Sequence, residues 1–299
     1  VLSGGPLGGG RAERVAQAQA EAAKLLPDWS AEERERIFAQ GYPAYWLSFD
    51  APTHARHADL MRRAERDGAA LMVEHRVDPV RAVTEVIIYT QDMPGLFWRI
   101  AGAMALSGAT IVDAKIFTMA NGMALDAFAI QDTDGGAFER PDRLARLSAR
   151  IEQALSGRLR IDEQLEQQKP AYPTRTNVFT VAPRVLIDNG VSNTHTVIEV
   201  NGRDRPGFLY LVTRTLSQLN LQISSAHVTT YGERAVDVFY VKDLFGLQVV
   251  HPDKLAEIRT RLESVLKEAD ARDGMAAPPE APMRPAERPA PRRARTAAE

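Results

Sequence analysis

The chain has 299 residues, of which 44% are hydrophobic and 25% are charged, so a globular protein of about two domains is expected. It contains no cysteine, which excludes disulfide bonds, thiolate zinc sites and cysteine nucleophiles. A formal net charge of −2 argues against a general nucleic-acid binder, and the absence of a long apolar run or a signal peptide favours a cytoplasmic protein without a membrane segment.

The first part of the chain is predicted to be a small helical region, residues 1–80. Its glycine-rich start lacks a Met and is expected to be a flexible connector within a longer protein. Apolar residues at helical spacing predict a helix over residues 11–26. Ser30 and Glu33 form a capping-box pattern, which predicts a short helix ending near Gly41.

A third helix is predicted from His54 to Asp67, with Thr53 as its N-cap and Gly68 as its end. His54 and His57 are spaced like a metal-binding pair, but no carboxylate completes a ligand set, so partly exposed helix histidines are expected instead. The aromatic segment before this helix is interpreted as a docking surface for an adjoining domain. Its aromatic residues are Tyr42, Tyr45, Trp46 and Phe49.

An internal repeat organises the middle of the chain. A shift of 112 residues superimposes identical residues in both copies, and after one deletion a shift of 111 continues the match. Among the matched pairs are Asp92 and Asp204, Gly95 and Gly207, Ala114 and Ala226, and Asp126 and Asp237. Two copies of one folding unit are therefore expected.

Each copy is predicted to contain a β-branched strand, a helix with its proline in the first turn, two further strands and a second helix. Residues 184–188 are expected to supply the fourth strand of the first copy. The resulting order, βαββαβ, is that of a ferredoxin-like α+β sandwich. The second copy shows no strand pattern after its last helix, so it is expected to be three-stranded or to borrow an edge.

These patterns divide the chain into four segments. They are the helical region, a first repeat unit over residues 81–190, a second over 191–269, and a tail over 270–299. The tail is rich in Pro, Arg and Ala and has no aromatic residue, so it is expected to be disordered.

The repeated Asp-x-Pro-Gly turn is the best candidate for a binding site. Its glycine allows close approach, and the first free N–H groups of the following helix favour a bound carboxylate. Asp113 in one copy, and Ser224 and Ser225 in the other, are polar groups on the neighbouring strand that could bind an amino or amide group. The alternative is that each motif only makes a tight strand-to-helix turn. His227 is also expected near this edge.

No catalytic motif is recognisable in the sequence. There is no phosphate-binding loop, no Gly-x-Ser-x-Gly and no paired carboxylates in a catalytic setting. We therefore expect no catalytic residue, no metal ligand and no cofactor in this chain.

The repeat resembles a tandem of ACT domains, which are amino-acid-sensing modules. The resemblance rests on the turns beginning at Asp92 and Asp204 and on the strand entries at residues 108–112 and 220–224. With the upstream segments 45–50 and 53–57, it extends to the C-terminal part of the bifunctional PII uridylyltransferase/uridylyl-removing enzymes, in which nucleotidyltransferase and HD domains come first.

The resemblance implies a regulatory function in nitrogen metabolism. Enzymes of that family transfer UMP to PII signal proteins and remove it again, using Mg or Mn, and glutamine favours removal. Both catalytic sites would lie upstream of this chain, which would contact the HD and nucleotidyltransferase domains and could self-associate through its ACT units.

The resemblance also implies a glutamine site at the two turns, with the glutamine carboxylate on the helix N-termini. The residues expected to contact glutamine are Asp92, Met93, Pro94, Gly95, Leu96, Ile111, Val112, Asn201, Asp204, Arg205, Pro206, Gly207, Phe208, Ser224 and Ser225.

Three other functions remain open. The chain could be the ACT tail of another amino-acid-responsive enzyme, which would bind a different amino acid. It could be a ligand-free scaffold whose ACT units only pair their sheets. RNA binding is less favoured, because the exposed aromatic pattern of RNA-recognition strands is absent and the net charge is negative.

Overall fold

A computed structural model describes residues 9–168, 182–205, 207–231 and 234–272. The N-terminal part forms helices α1 (Gly9–Lys24), α2 (Ala31–Phe38), α3 (Pro43–Trp46) and α4 (Ala51–Asp67). The predicted disorder of residues 273–299 lies outside the described residues. Within the described residues, no helix is long and apolar enough to cross a membrane.

The two repeat units follow this helical part. The first contains β1 (Leu71–Asp78), β2 (Val83–Gln91), α5 (Leu96–Leu106), β3 (Ala109–Thr118), β4 (Met123–Asp132) and α6 (Pro141–Leu155), and α7 (Ile161–Gln168) comes next. The second contains β5 (Arg184–Asp188), β6 (Thr196–Arg203), α8 (Phe208–Gln218), β7 (Gln222–Tyr231), β8 (Arg234–Lys242) and α9 (Pro252–Arg272).

The caps of the N-terminal helices follow from short polar side chains. Ser30 and Glu33 form the predicted capping box at the start of α2. The predicted N-cap of α4 was wrong: the cap is Asp50, whose carboxylate accepts from the backbone N–H of Thr53 at 3.0 Å. Gly68 ends α4 in the left-handed conformation, as predicted.

The eight strands form one sheet in the order β1-β2-β4-β3-β7-β8-β6-β5, and all neighbours are antiparallel. The tandem α+β fold class is confirmed. The assignment of the fourth strand was wrong, because β5 pairs with β6 of the second unit and not with the first unit. The first unit is completed by β1, which pairs with β2. In each unit, therefore, the edge strand precedes the repeat instead of following it.

The two units join at equivalent positions. Asp113 pairs with His227, Ala114 with Ala226 and Lys115 with Ser225 across β3 and β7, so equivalent alanines lie opposite each other. The register is interrupted by a β-bulge after Ile111 in β3 and at the equivalent place in β7. On the helical side, α5 contacts α8, and the equivalent side chains Trp98 and Tyr210 meet edge to face at 5.9 Å. The joint between β3 and β7, with α5 and α8 above it, is called the seam below.

Apolar side chains cover both faces of the first unit's sheet. Helices α5, α6, α8 and α9 pack on one face in a core that spans both units. The N-terminal helices pack on the opposite face of the first unit, where Tyr45 and Trp46 are almost fully buried among Ile87, Tyr89 and Leu125. These two aromatic residues thus pack against the adjoining first unit in a second core, whereas Tyr42 is 57% exposed.

Candidate functional site

The two Asp-x-Pro-Gly turns connect the first long strand of each unit to its first helix. Gly95 and Gly207 are the helix N-caps, with φ of 80° and 81°, values that a side chain strains. Pro94 therefore precedes the helix instead of occupying its first turn, which corrects the prediction. Its counterpart Pro206 lies outside the described residues.

One side chain packs close to the Cβ position of each turn glycine. A Cβ atom on Gly95 would overlap the indole nitrogen of Trp98, and one on Gly207 would lie 3.1 Å from Leu165 in α7. Arg205 is held away from solvent by an ion pair with Asp270 of α9 at 3.5 Å. Both glycines are nevertheless partly exposed, so the side chains of Trp98 and Leu165 fill the space on the Cβ side of each glycine and narrow the approach to the helix N-terminus.

The apolar members of the predicted contact set belong largely to the core. Leu96, Phe208 and Ile111 are 5% exposed or less, and Met93 packs against the same core. Asn201 is buried on the sheet face opposite α8, where its amide donates to Glu199 at 2.7 Å and its oxygen accepts from Arg234 at 2.7 Å. Asn201 is therefore separated from the turn at Gly207 by the sheet.

The strand-entry residues lie at the wrong end of their own unit. Asp92 accepts from the hydroxyl of Thr118 at 2.6 Å, at the end of β3, whereas Ile111 and Val112 are near its start. Seven residues of strand separate the two ends by about 23 Å. Because β3 and β7 are antiparallel, Ser225 lies opposite Lys115, three residues from Thr118. The structure thus brings Ser224 and Ser225 toward the turn of the first unit.

Each unit also buries an aspartate that the sequence analysis matched but did not place in the site. Asp126 and Asp237 are fully buried, and the polar neighbours of their carboxyl groups are the backbone groups of Phe117 and Thr229, respectively. Burial raises the pKa of Asp126 well above its usual range, and the charge of Asp92 adds to this. Burial likewise raises the pKa of Asp237 to about 8, with a contribution from Asp204. Each turn aspartate therefore has a second, buried carboxyl group close by, whose pKa is raised.

The two helix histidines are buried in the second core, which corrects the expectation of partial exposure. His54 contacts the carbonyl oxygen of Trp46 at 3.1 Å, and His57 contacts the hydroxyl of Tyr45 at 3.2 Å. Within the described part of the chain, no three His, Asp or Glu side chains converge as metal ligands. His227 lies at the seam, with its Nδ1 2.9 Å from Asp113 Oδ1.

Comparison with known proteins agrees with this architecture. A family model described as an ACR9-like, ACT-like domain matches residues 184–269, beginning at β5. The bifunctional uridylyltransferase/uridylyl-removing enzyme of Azospirillum brasilense is 57% identical over 272 residues, which cover 91% of this chain and 29% of the relative. The enzyme of the same description from Rhodospirillum rubrum is 53% identical over 266 residues, which cover 89% of this chain and 28% of the relative.

A third relative of this description, from Gluconobacter oxydans, is 48% identical over 274 residues, with 90% of this chain and 29% of the relative covered. The resemblance predicted from the turns and the upstream segments is therefore confirmed along most of the chain. The chain spans less than a third of the length of these relatives.

Proposed function

We propose that this chain, similar along nine tenths of its length to bifunctional uridylyltransferase/uridylyl-removing enzymes, is the glutamine-sensing region of such an enzyme. The enzyme would attach UMP to PII signal proteins and remove it again in the cytoplasm. Its nucleotidyltransferase and HD domains, with their Mg or Mn, would belong to the part of the relatives that this chain does not cover. No catalytic step is assigned to residues of this chain.

The observation that carries the proposal is the pair of ACT-type units in one continuous sheet, within a chain similar to these enzymes. Two equivalent turns on one rigid sheet give a small ligand two places at which to bind. The turn of the first unit lies beside the strand entry of the second, so a bound molecule there would contact both units. A ligand that bridges two units stabilises one arrangement of them over another.

Glutamine is proposed to bind at the turns with its carboxylate toward the helix N-termini. The backbone N–H groups beyond Gly95 and Gly207 would hold the carboxylate, because helix N-termini carry partial positive charge. Movement of Trp98 and Leu165 would open the site. Because Trp98 contacts Tyr210 and Leu165 belongs to α7, this movement would also change packing at the seam.

The signal would then pass as a coupling free energy between the glutamine site and the distant catalytic sites. A ligand shifts a conformational equilibrium only by its differential affinity for the two states. Coupling of about 1–3 kcal/mol is typical and is enough to reverse the balance of two opposed activities. The N-terminal helices, packed on the first unit's sheet, would carry it toward the HD domain.

Calorimetric titration of L-glutamine into the chain and into Gly207→Val tests the proposal. The added side chain would stand where the carboxylate is proposed to bind, so affinity should fall at least tenfold. Gly157→Val is the matched control, because Gly157 has a similar φ of 72° but no atom near its Cβ position. Unchanged glutamine affinity in Gly207→Val would refute the proposed site. Absence of glutamine binding by the wild type would refute the proposed function.

A further inference from the structure

A groove of about 440 Å³ lies between the N-terminal helices and the first unit's sheet, away from both turns. Phe49 and helix α4 form one wall, and strands β2, β3 and β4 form the other. Asp113, which the sequence suggested as a polar group for the turn site, lines this groove instead. Its volume suits a small metabolite, which occupies pockets of this size.

The cationic side of the groove is formed by Lys115 and Arg56. Lys115 Nζ donates to the carbonyl oxygen of Ser48 at 2.9 Å and lies 4.7 Å from the centre of the Phe49 ring. Within the described residues it has no carboxylate partner, although an ammonium group has three N–H donors. Arg56 donates through Nη2 to Glu85 at 2.7 Å, but its buried Nε has no partner. Two cations therefore have donors left for an anionic group.

His57 adds a neutral group to the same wall. Its imidazole is fully buried, and burial, followed by the charges of His54 and Arg56, lowers its pKa to about 3. The ring therefore carries one N–H near neutral pH. The Tyr45 hydroxyl lies 3.2 Å from Nδ1, and Nε2 has no hydrogen-bond partner in the described structure.

Two further carboxyl groups line the groove. Asp113 lies two residues from Lys115 on the same face of β3, is 30% exposed, and contacts the exposed His227 of the second unit. Asp50, the N-cap of α4, lies near Arg56. The groove thus presents hydrogen-bond donors and carboxylates close together, with apolar surface from Phe49 and Ile87 beside them. This arrangement is complementary to a small zwitterion.

We propose that this groove is a second metabolite site, which binds a free α-amino acid with its carboxylate at Lys115 and Arg56 and its ammonium at Asp113. The site goes beyond the proposed glutamine site at the turns and is separate from it. Its walls belong to the N-terminal helices and to the first unit, and Asp113 in turn contacts His227 of the second unit. A ligand there would hold the helical layer in one position on the sheet.

The test is calorimetric titration of L-glutamine, L-methionine and succinate into the 299-residue chain. At least one of the two amino acids should bind, whereas succinate, which lacks the ammonium, should bind at least tenfold more weakly. Lys115→Met and Asp113→Asn should each weaken amino-acid binding at least tenfold. Lys267→Met, at an exposed lysine of α9, is the matched control and should change nothing.

Three results would overturn the groove site. They are no binding of either amino acid, equal binding of succinate, and amino-acid affinity unchanged in Lys115→Met. If glutamine binding is lost in Gly207→Val but is unchanged in Lys115→Met, only the turn site remains. Circular dichroism and the thermal unfolding midpoint show whether each variant folds. If Lys115→Met does not fold, Asp113→Asn, at a half-buried position, tests the site instead.

Discussion

At the scale of single residues, each turn aspartate has a buried second carboxyl group beside it, Asp126 for Asp92 and Asp237 for Asp204. The sequence repeat matched Asp126 with Asp237, but only the strand registers place them on the helical face of the sheet, in the core. An alternating strand pattern that carries Asp on its core face gives no sign of whether that side chain has a partner. The burial of both residues therefore could not be predicted from the sequence.

Asp237→Asn should change the pH dependence of stability. The folded-state pKa of Asp237, about 8, is above the unfolded value of 3.8, so the folded state holds its proton across that window. Stability should be greatest below pH 4 and fall toward pH 8, by up to about 1.4 kcal/mol per pH unit for this group. Asn stays neutral, so the variant should gain stability over the wild type as pH rises from 5 to 8.

Urea unfolding of both proteins at pH 5 and pH 8 measures this difference. The comparison cancels the contributions of titratable groups that both proteins share. One of these is His57, whose lowered pKa makes stability rise with pH instead of fall. An identical stability difference at the two pH values would show that Asp237 is charged in the folded protein.

Gly95→Ala should be more costly than Gly157→Ala. Both glycines have positive φ, and an alanine there costs about 1–2 kcal/mol in backbone strain. At Gly95 the new methyl group would also displace the Trp98 indole from its contact with Tyr210. Chemical denaturation should give at least twice the loss of unfolding free energy for Gly95→Ala, and equal losses would mean that Trp98 moves freely.

At the scale of elements, the helices and the three repeated strands of each unit could be predicted, because their apolar periodicity is regular. The edge strands could not. Strand β1 is half-buried along most of its length and lacks clear alternation, and it was not predicted. Strand β5 was predicted, but sequence proximity suggested the wrong unit. Its pairing with β6 depends on contacts that no local pattern shows.

Two single substitutions in β5 test its place in the second unit. Val185 is buried in the core, whereas the adjacent Leu186 is 38% exposed. Val185→Ala should lower the unfolding free energy by about 1–3 kcal/mol, and Leu186→Ala by clearly less. Thermal unfolding followed by circular dichroism measures both. Equal, small effects would show that β5 is a loosely attached edge.

At the scale of the whole molecule, the seam and the second core decide how a signal can travel. The antiparallel pairing of β3 with β7 places each strand entry near the other unit's turn, whereas the sequence analysis had grouped turn and entry within one unit. The sequence could not show which strands of the two copies pair with each other, because such pairing leaves no periodic pattern in the sequence. The N-terminal helices pack on the other face of the first unit's sheet.

Hydrogen exchange of the chain with and without saturating L-glutamine tests the central claim most directly, because it reports binding and transmission together. The account predicts slower exchange at residues 95–99 and 208–211, together with a change in α3 and α4, which pack on the opposite face of the sheet. Gly207→Val should lose all of these changes. Identical exchange in the two states throughout the turns and the N-terminal helices would contradict glutamine sensing by this chain.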